Sequence, residues 1–237
     1  MILVLRGHIR DSLEEDNLYN ITAQLARKYP LDIYIHTWNI QSTSRSWRVV
    51  PQNNTPVTEE RIMKYFKDLS VHIRHIIIDD DAQVELIGKV DGGTGKSCCP
   101  LRGWKYYWYG KHRIAEYLYS QSSLRSKPMI SMRFDIFANL LNFDGDQVLD
   151  FFKQVQDTAY LHFEHNTEIK KNIFPRDGWA KFVIGCDNIY GGTVETNYLL
   201  TNCFANKLDQ LLEINPETEN QEYLAVMVNN VLGLLKD

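Results

Sequence analysis

No stretch of the chain approaches the ~18 consecutive apolar residues that a membrane-crossing helix needs. The apolar opening, Met1 to Leu5, is broken at once by Arg6, His8, Arg10 and Asp11, so it is too short for a signal peptide as well. Basic residues are not in excess: 26 Lys and Arg stand against 30 Asp and Glu, a formal charge of -4. A nucleic-acid partner, which calls for a positive field, is not expected. Cysteine is sparse, four in 237 residues, and no pair is spaced C-x-x-C. Adjacent Cys98 and Cys99, with Cys186 and Cys203 far along the chain, argue against a structural zinc site and suit free thiols in a reducing, cytoplasmic setting.

Several catalytic signatures are missing too. There is no G-x-S-x-G elbow, no H-E-x-x-H pair and no G-x-G-x-x-G after the first strand, which removes support for common hydrolases, metalloproteases and nicotinamide enzymes. Gly92-Gly93-Thr94-Gly95-Lys96-Ser97 imitates a phosphate loop, but that loop needs a glycine at position 90, where Val90 stands. It also needs a helix directly after it, and Cys98-Cys99-Pro100 follows instead. His162 and His165 flank Glu164 at i,i+3, which reads as a helix end at the surface before it reads as a metal site.

What is present is an alternation of strands and helices. Ile2 to Leu5 reads as a buried strand, followed by a turn at Gly7 and a helix capped by Asp11 or Ser12 with Glu14, Glu15 and Asp16 in its first turn. Leu18, Ile21 and Leu25 give that helix one apolar face, and Leu31 to Trp38 is a second strand. Residues 39–56, polar and without period, read as a long loop. Thr58 caps a helix to about Leu69, Val71 to Ile78 is a third strand, and residues 88–103, with five glycines, read as a mobile excursion. Trp104 to Gln121 is a helix so rich in Tyr and Trp that one face must be buried or must line a pocket. Lys127-Pro128 leads into a fourth strand ending at Arg133-Phe134-Asp135. Further on come a helix from Gly145, a strand from Trp179 to Cys186, and helices from about Glu195 and Glu217. The expected fold is α/β, a mixed but mostly parallel sheet flanked by helices, in one unit of 237 residues.

The polar strand ends are the best site candidate. Arg6-Gly7-His8, Thr37-Trp38-Asn39, Asp79-Asp80-Asp81 and Arg133-Phe134-Asp135 all emerge on one edge if the strands are parallel. Arg133 and Asp135 share one side of the last of these, either as a solvated ion pair or as a place that holds charge. Three successive carboxylates at 79–81 must be solvated, paired, or bound to a cation or a hydroxyl-rich ligand.

With Leu5-Arg6-Gly7-His8-Ile9-Arg10, Ile35-His36-Thr37-Trp38-Asn39, Met132-Arg133-Phe134-Asp135 and Ile184-Gly185-Cys186-Asp187 in this order, the chain resembles the GT-A-type nucleotide-sugar glycosyltransferases. The resemblance is to the small enzymes of surface-polysaccharide biosynthesis in bacteria and large DNA viruses, and it spans about residues 1–200. It implies a GT-A, Rossmann-like fold with residues 1–135 as the nucleotide-sugar-binding half and 136–237, with the C-terminal helices, on the acceptor side. The implied activity is hexosyl or pentosyl transfer from a nucleotide-diphosphate sugar donor to a glycan or glycoconjugate acceptor, in the cytoplasm, or the host cytoplasm if the protein is viral. The implied cofactor is a divalent cation, Mn2+ or Mg2+, on the second acid of an Asp-x-Asp motif, matched here by Asp135. Arg133 replaces the first acid, and either contacts a phosphate directly or pairs with Asp135 until the donor arrives. Asp79, Asp80 and Asp81 fall where the base or ribose is recognised; Gly7 and His8 lie against the nucleotide with Arg6 or Arg10 near phosphate, and Thr37 and Trp38 beside them. For an inverting reaction the candidate bases are Asp187, then Glu195 and Glu222. Competing readings are another nucleotide-dependent transferase, or an inactive carbohydrate- or nucleotide-binding module of the same fold.

Overall fold

The computed structural model describes residues 1–44, 51–94, 99–137, 145–155, 162–163, 188–218 and 221–232. At its centre lies β1 (Ile2–Arg6), whose five residues are all buried. It pairs in parallel with β2 (Asp32–Trp38), Ile2 opposite Asp32 and Arg6 opposite His36. Two short strands follow, β3 (Ile40–Ser42) and β4 (Asn53–Pro56), which form an antiparallel ribbon of their own inside the segment expected to be loop. β5 (Ile73–Asp79) is parallel to β2. β6 (Pro128–Arg133) is parallel to β1, with Arg6 opposite Arg133. The sheet is extended by β7 (His162–Phe163) and β8 (Ile189–Thr193), giving the order β5-β2-β1-β6-β8-β7. β8 runs antiparallel to β6, and β7 antiparallel to β8. The mixed, mostly parallel sheet expected from the sequence is therefore present, with its four parallel strands in the order of a Rossmann-like half.

Strand periodicity sends alternate side chains to opposite faces. Leu3, Leu5, Ile33 and Ile35 pack against three helices, α1 (Asn17–Lys28), α2 (Glu59–Phe66) and one farther along the chain, through Leu18, Ile21, Leu25, Ile62 and Phe66 and through Val148, Phe151 and Phe152. Ile2 and Val4 point the other way, onto Ile114 and Leu118 of α3 (Leu101–Ser120). The farther helix of the first face is α4 (Gly145–Gln154). On the second face α3 packs along α5 (Val194–Ile214), where Trp108 stacks on Phe204 at 3.9 Å, and α6 (Gln221–Leu232) adds Leu224 and Val228. Gly110 is what lets α3 approach β2: a Cβ there would lie 2.8 Å from Cε1 of the His36 ring.

α1 starts at Asn17, five residues later than Ser12, and its first turn carries no acid. The preceding residues turn instead, with Ser12 N–H donating to Ile9 O and Glu14 N–H to Asp11 O, while Glu14 pairs with Arg61 at 3.0 Å. Thr58 caps α2 as expected, accepting from Arg61 N–H. The Trp179–Cys186 strand lies outside the described residues; β8 begins just after it, unforeseen. His162 lies in β7, a strand and not a helix end, and His165 is outside the described residues. Among the described residues no helix is long and apolar enough to cross a membrane.

Candidate functional site

Because β5, β2, β1 and β6 run parallel, their carboxyl ends open on one edge, and a cleft of about 910 Å³, mouth included, lies there. The turn after β1 forms its floor. Gly7 adopts φ 89°, a region that side chains strain to enter, and donates its N–H to His36 O. Gly7 O accepts from the hydroxyl of Thr37, which is wholly buried, so Thr37 supports the turn from beneath. Three residues on, Arg10 takes φ 46°, uncommon for a non-glycine residue, and its N–H is held by Gln41 O at 2.9 Å. His36 and Thr37 of β2 and Gln41 of β3 thus fix the turn that delivers Arg10 to the cleft.

Arg10, Arg133 and Asp135 form one charged cluster. Arg133 grips the carboxylate with two bonds, Nε to Oδ1 at 2.6 Å and Nη2 to Oδ2 at 2.7 Å, and Arg10 Nη1 donates to Oδ2 at 2.5 Å. The Asp135 side chain is 4% exposed, so the pair written i,i+2 in the sequence is not a solvated surface pair. A divalent ion seated on that carboxylate would lie within ~5 Å of two guanidinium groups. Each would repel it by several kcal/mol at an effective dielectric of about 20. Among the described residues no group of three or more His, Cys, Asp or Glu gathers to supply the remaining ligands. The residues present do not fit a divalent cation on Asp135.

Two further cations sit deeper. Arg6, 3% exposed, donates Nε–H to the Ser131 hydroxyl and lies 5.3 Å from the ring centres of both Tyr107 and Tyr190. Lys111, also 3% exposed, places Nζ 3.9 Å from Tyr107, 4.2 Å from Trp108 and 4.5 Å from Tyr190. These aromatic faces are a favourable setting for cations removed from water. Among the described residues the cleft is lined by four basic side chains, Arg6, Arg10, Lys111 and Arg133, against two acidic ones, Asp81 and Asp135.

The lining is also aromatic. Trp38 stacks on His8 at 5.7 Å and on Tyr109 at 5.8 Å, and meets His36 and Tyr106 edge-on. Of the three acids after β5, only Asp81 lines the cleft, buried and with its carbonyl accepting from Tyr106 OH. Asp79 is turned to the protein, accepting from His36 Nε2 at 3.2 Å and Tyr109 OH at 3.1 Å with Arg113 at 3.6 Å. Asp80 closes a local turn by accepting from Ala82 N–H. The segment beyond is strapped to α5: Asp209 pairs with Lys105 at 2.8 Å and accepts from Lys89 N–H, close against Gly88 at φ 76°.

Burial keeps His8, in the cleft, and His36, behind it, neutral. It pushes His8 down to about 3, helped by the Arg10 charge, and lowers His36 against the opposing pull of Asp79. Burial works against ionisation of Asp79, but the bonds from His36 and Tyr109 and the Arg113 charge outweigh it and hold the carboxyl below its ordinary value. Tyr109 is driven up to about 12 by burial and by the Asp79 charge. An unfolded chain takes up protons on these histidines near pH 6.5, whereas the folded protein resists them. Their contribution to stability is therefore full above about 6.5 and is lost as the pH falls toward the folded values. On this account the unfolding free energy drops by on the order of 3 kcal/mol from His8 alone between pH 7 and pH 4. His8→Phe is expected to flatten that slope in urea titrations; parallel curves for the two proteins would contradict it.

Of the residues expected at the site, Arg6, Gly7, His8, Arg10, Trp38, Asp81, Arg133 and Asp135 come together, whereas Thr37, Asp79 and Asp80 stand behind or beside it. Asp187 lies outside the described residues; its neighbour Asn188 accepts from Arg133 N–H at 3.0 Å, where the chain enters β8. Glu195 is exposed at the start of α5, its N–H bonded to Arg125 O, at the sheet edge opposite the cleft. Glu222 follows Gln221, which lines the cleft and whose buried Oε1 has no hydrogen-bond partner among the described residues. Thr43, Trp104, Tyr106, Tyr107, Lys111 and Gln221 are lining residues that the sequence did not single out by name.

A scan against protein-family models finds no match. A search of curated proteins finds none either. Among solved structures, the chain is similar to galactosyltransferase LgtC in complex with donor and acceptor sugar analogs, at 8% identity and a TM-score of 0.49, over 99% of this chain and 72% of that one. A likeness at that level carries no weight for the site or its chemistry.

Proposed function

We propose that the protein is a glycosyltransferase, moving a sugar from a nucleotide-diphosphate donor to a hydroxyl of a glycan acceptor. The observation that carries this reading is the cleft at the carboxyl ends of four parallel strands, lined among the described residues by four basic side chains against two acidic ones and by the rings of Trp38, Trp104, Tyr106 and Tyr107. The cations receive the diphosphate, the side of the cleft at Tyr106, backed by the enclosed Trp38, receives the base, and Asp81 takes a ribose hydroxyl. Two buried acceptor or donor atoms lining the cleft, His8 Nε2 and Gln221 Oε1, have no partner among the described residues, which suits a hydroxyl-rich ligand.

Transfer breaks the bond from the anomeric carbon to the donor phosphate oxygen and forms one from that carbon to the acceptor oxygen. The bonding pair leaves on the diphosphate, where the arginines stabilise the charge as it develops, and the acceptor proton passes to a base. Asp187 is the first candidate for that base in an inverting reaction, and Glu222 the second. Residues 1–135 form the donor half of this unit and the rest its acceptor side.

The test is a panel of nucleotide-diphosphate sugars, read by thermal shift and by release of nucleoside diphosphate. A ligand at a hundred times its Kd stabilises by ~2.7 kcal/mol, worth several degrees in a chain of this size. One nucleotide family should raise Tm and be turned over when a sugar acceptor is added. No shift with any member at millimolar concentration would refute the reading, and binding without turnover would identify a binding module of the same fold.

A further inference from the structure

We propose that the diphosphate is held directly by Arg10 and Arg133, with Asp135 as the counter-ion it displaces, and not through a divalent cation on Asp135. The inference rests on the donor site proposed above and states how that site meets its most charged group.

The carboxylate of Asp135 is the most enclosed member of the cluster, and both of its oxygens accept from guanidinium groups, Oδ1 from Arg133 and Oδ2 from Arg133 and Arg10. A hard cation would have to take those oxygens while two positive groups remained beside it. A phosphate faces the reverse situation. It presents the same planar pair of acceptor oxygens to the Arg133 fork that the carboxylate presents now, with more negative charge, so exchange of one anion for the other keeps the geometry of the fork. The guanidinium carriers are the outward part of the cluster, with side chains 21% and 14% exposed for Arg10 and Arg133 against 4% for Asp135, so a ligand in the cleft meets the cations first. Arg10 is held for this by a backbone conformation that costs energy, φ 46°, pinned by Gln41. In the resting protein Asp135 keeps the two arginines from repelling each other and fixes their spacing.

Calorimetric titration of the full chain with inorganic pyrophosphate and with the four ribonucleoside diphosphates tests this, in excess chelator and again in millimolar Mn2+. Affinity is expected to agree within about threefold between the two conditions. Asp135→Asn is expected to bind pyrophosphate at least as tightly as the parent, because the competing internal charge is gone. Arg10→Gln should bind it roughly tenfold or more weakly, the loss of a charge-assisted bond. Circular-dichroism melting identifies any variant that has unfolded, and the comparison with and without metal on the parent protein needs no variant. Binding that disappears in chelator, returns with Mn2+ and is abolished in Asp135→Asn overturns the inference while leaving the transferase reading in place. Absence of binding by every probe in both conditions removes the donor site and this inference together.

Discussion

Trp38→Ala is expected to lower the unfolding free energy by about 3–5 kcal/mol and to abolish nucleotide binding at millimolar concentrations. Trp38 is 3% exposed at the end of β2 and touches rings on every side, with His8 and Tyr109 stacked on it and His36 and Tyr106 edge-on. Truncation removes the transfer free energy of an indole and leaves a hole beside His8 and His36. Each aromatic pair adds ~0.5–1.5 kcal/mol beyond burial. Urea unfolding followed by far-ultraviolet circular dichroism gives the stability, and thermal shift with the donor nucleotide gives binding. A loss under ~1 kcal/mol with binding intact would show that the ring cluster does not shape the site.

Arg133→Met is the second large effect, expected at about 3 kcal/mol. It removes the bidentate partner of a carboxylate that is 4% exposed, and the single bond from Arg10 does not replace it. Adding Asp135→Leu should restore much of the loss, because the uncompensated buried charge is then gone and Arg10, at 21% exposure, can turn to solvent. The double-mutant cycle on urea-derived free energies isolates the coupling. Additive losses would mean that the two side chains do not depend on each other.

Four strand ends could be read from the sequence because each is an apolar run stopped by polar residues, and parallel pairing then carried Arg6, Trp38, Asp81 and Arg133 to one edge. Other features left no such mark. β4 reads Asn-Asn-Thr-Pro, mostly exposed, so no apolar alternation betrays it; β8 reads Ile-Tyr-Gly-Gly-Thr, and its glycines resemble a turn although they lie buried between β6 and β7. Gly191 is required there because a Cβ would sit 2.6 Å from Val155. The aromatic helix α3 announced a buried or pocket-lining face, but not which residues. Lys111 was the least legible: a single lysine on a helix reads as solvated, and only the convergence of Tyr107, Trp108 and Tyr190 from two elements makes a dry place for it. The roles of Asp79 and Asp81 could not be separated either, since two residues of chain decide whether a carboxylate faces His36 or the cleft.

The place of β1 bears on the order in which the molecule can assemble. Ile2 to Arg6 is the middle of the sheet, flanked by β2 about thirty positions later and by β6, where Ile2 meets Met129. On a ribosome, the strand made first has its second neighbour only after residue 133 has been synthesised. Until then Leu3 and Leu5 are sheltered by α1, α2 and β2 without β6 or α4, and the turn carrying Arg10 has no Asp135 to meet. Closure of the sheet and completion of the charged cluster are thus one event, in which the last parallel strand arrives beside the first.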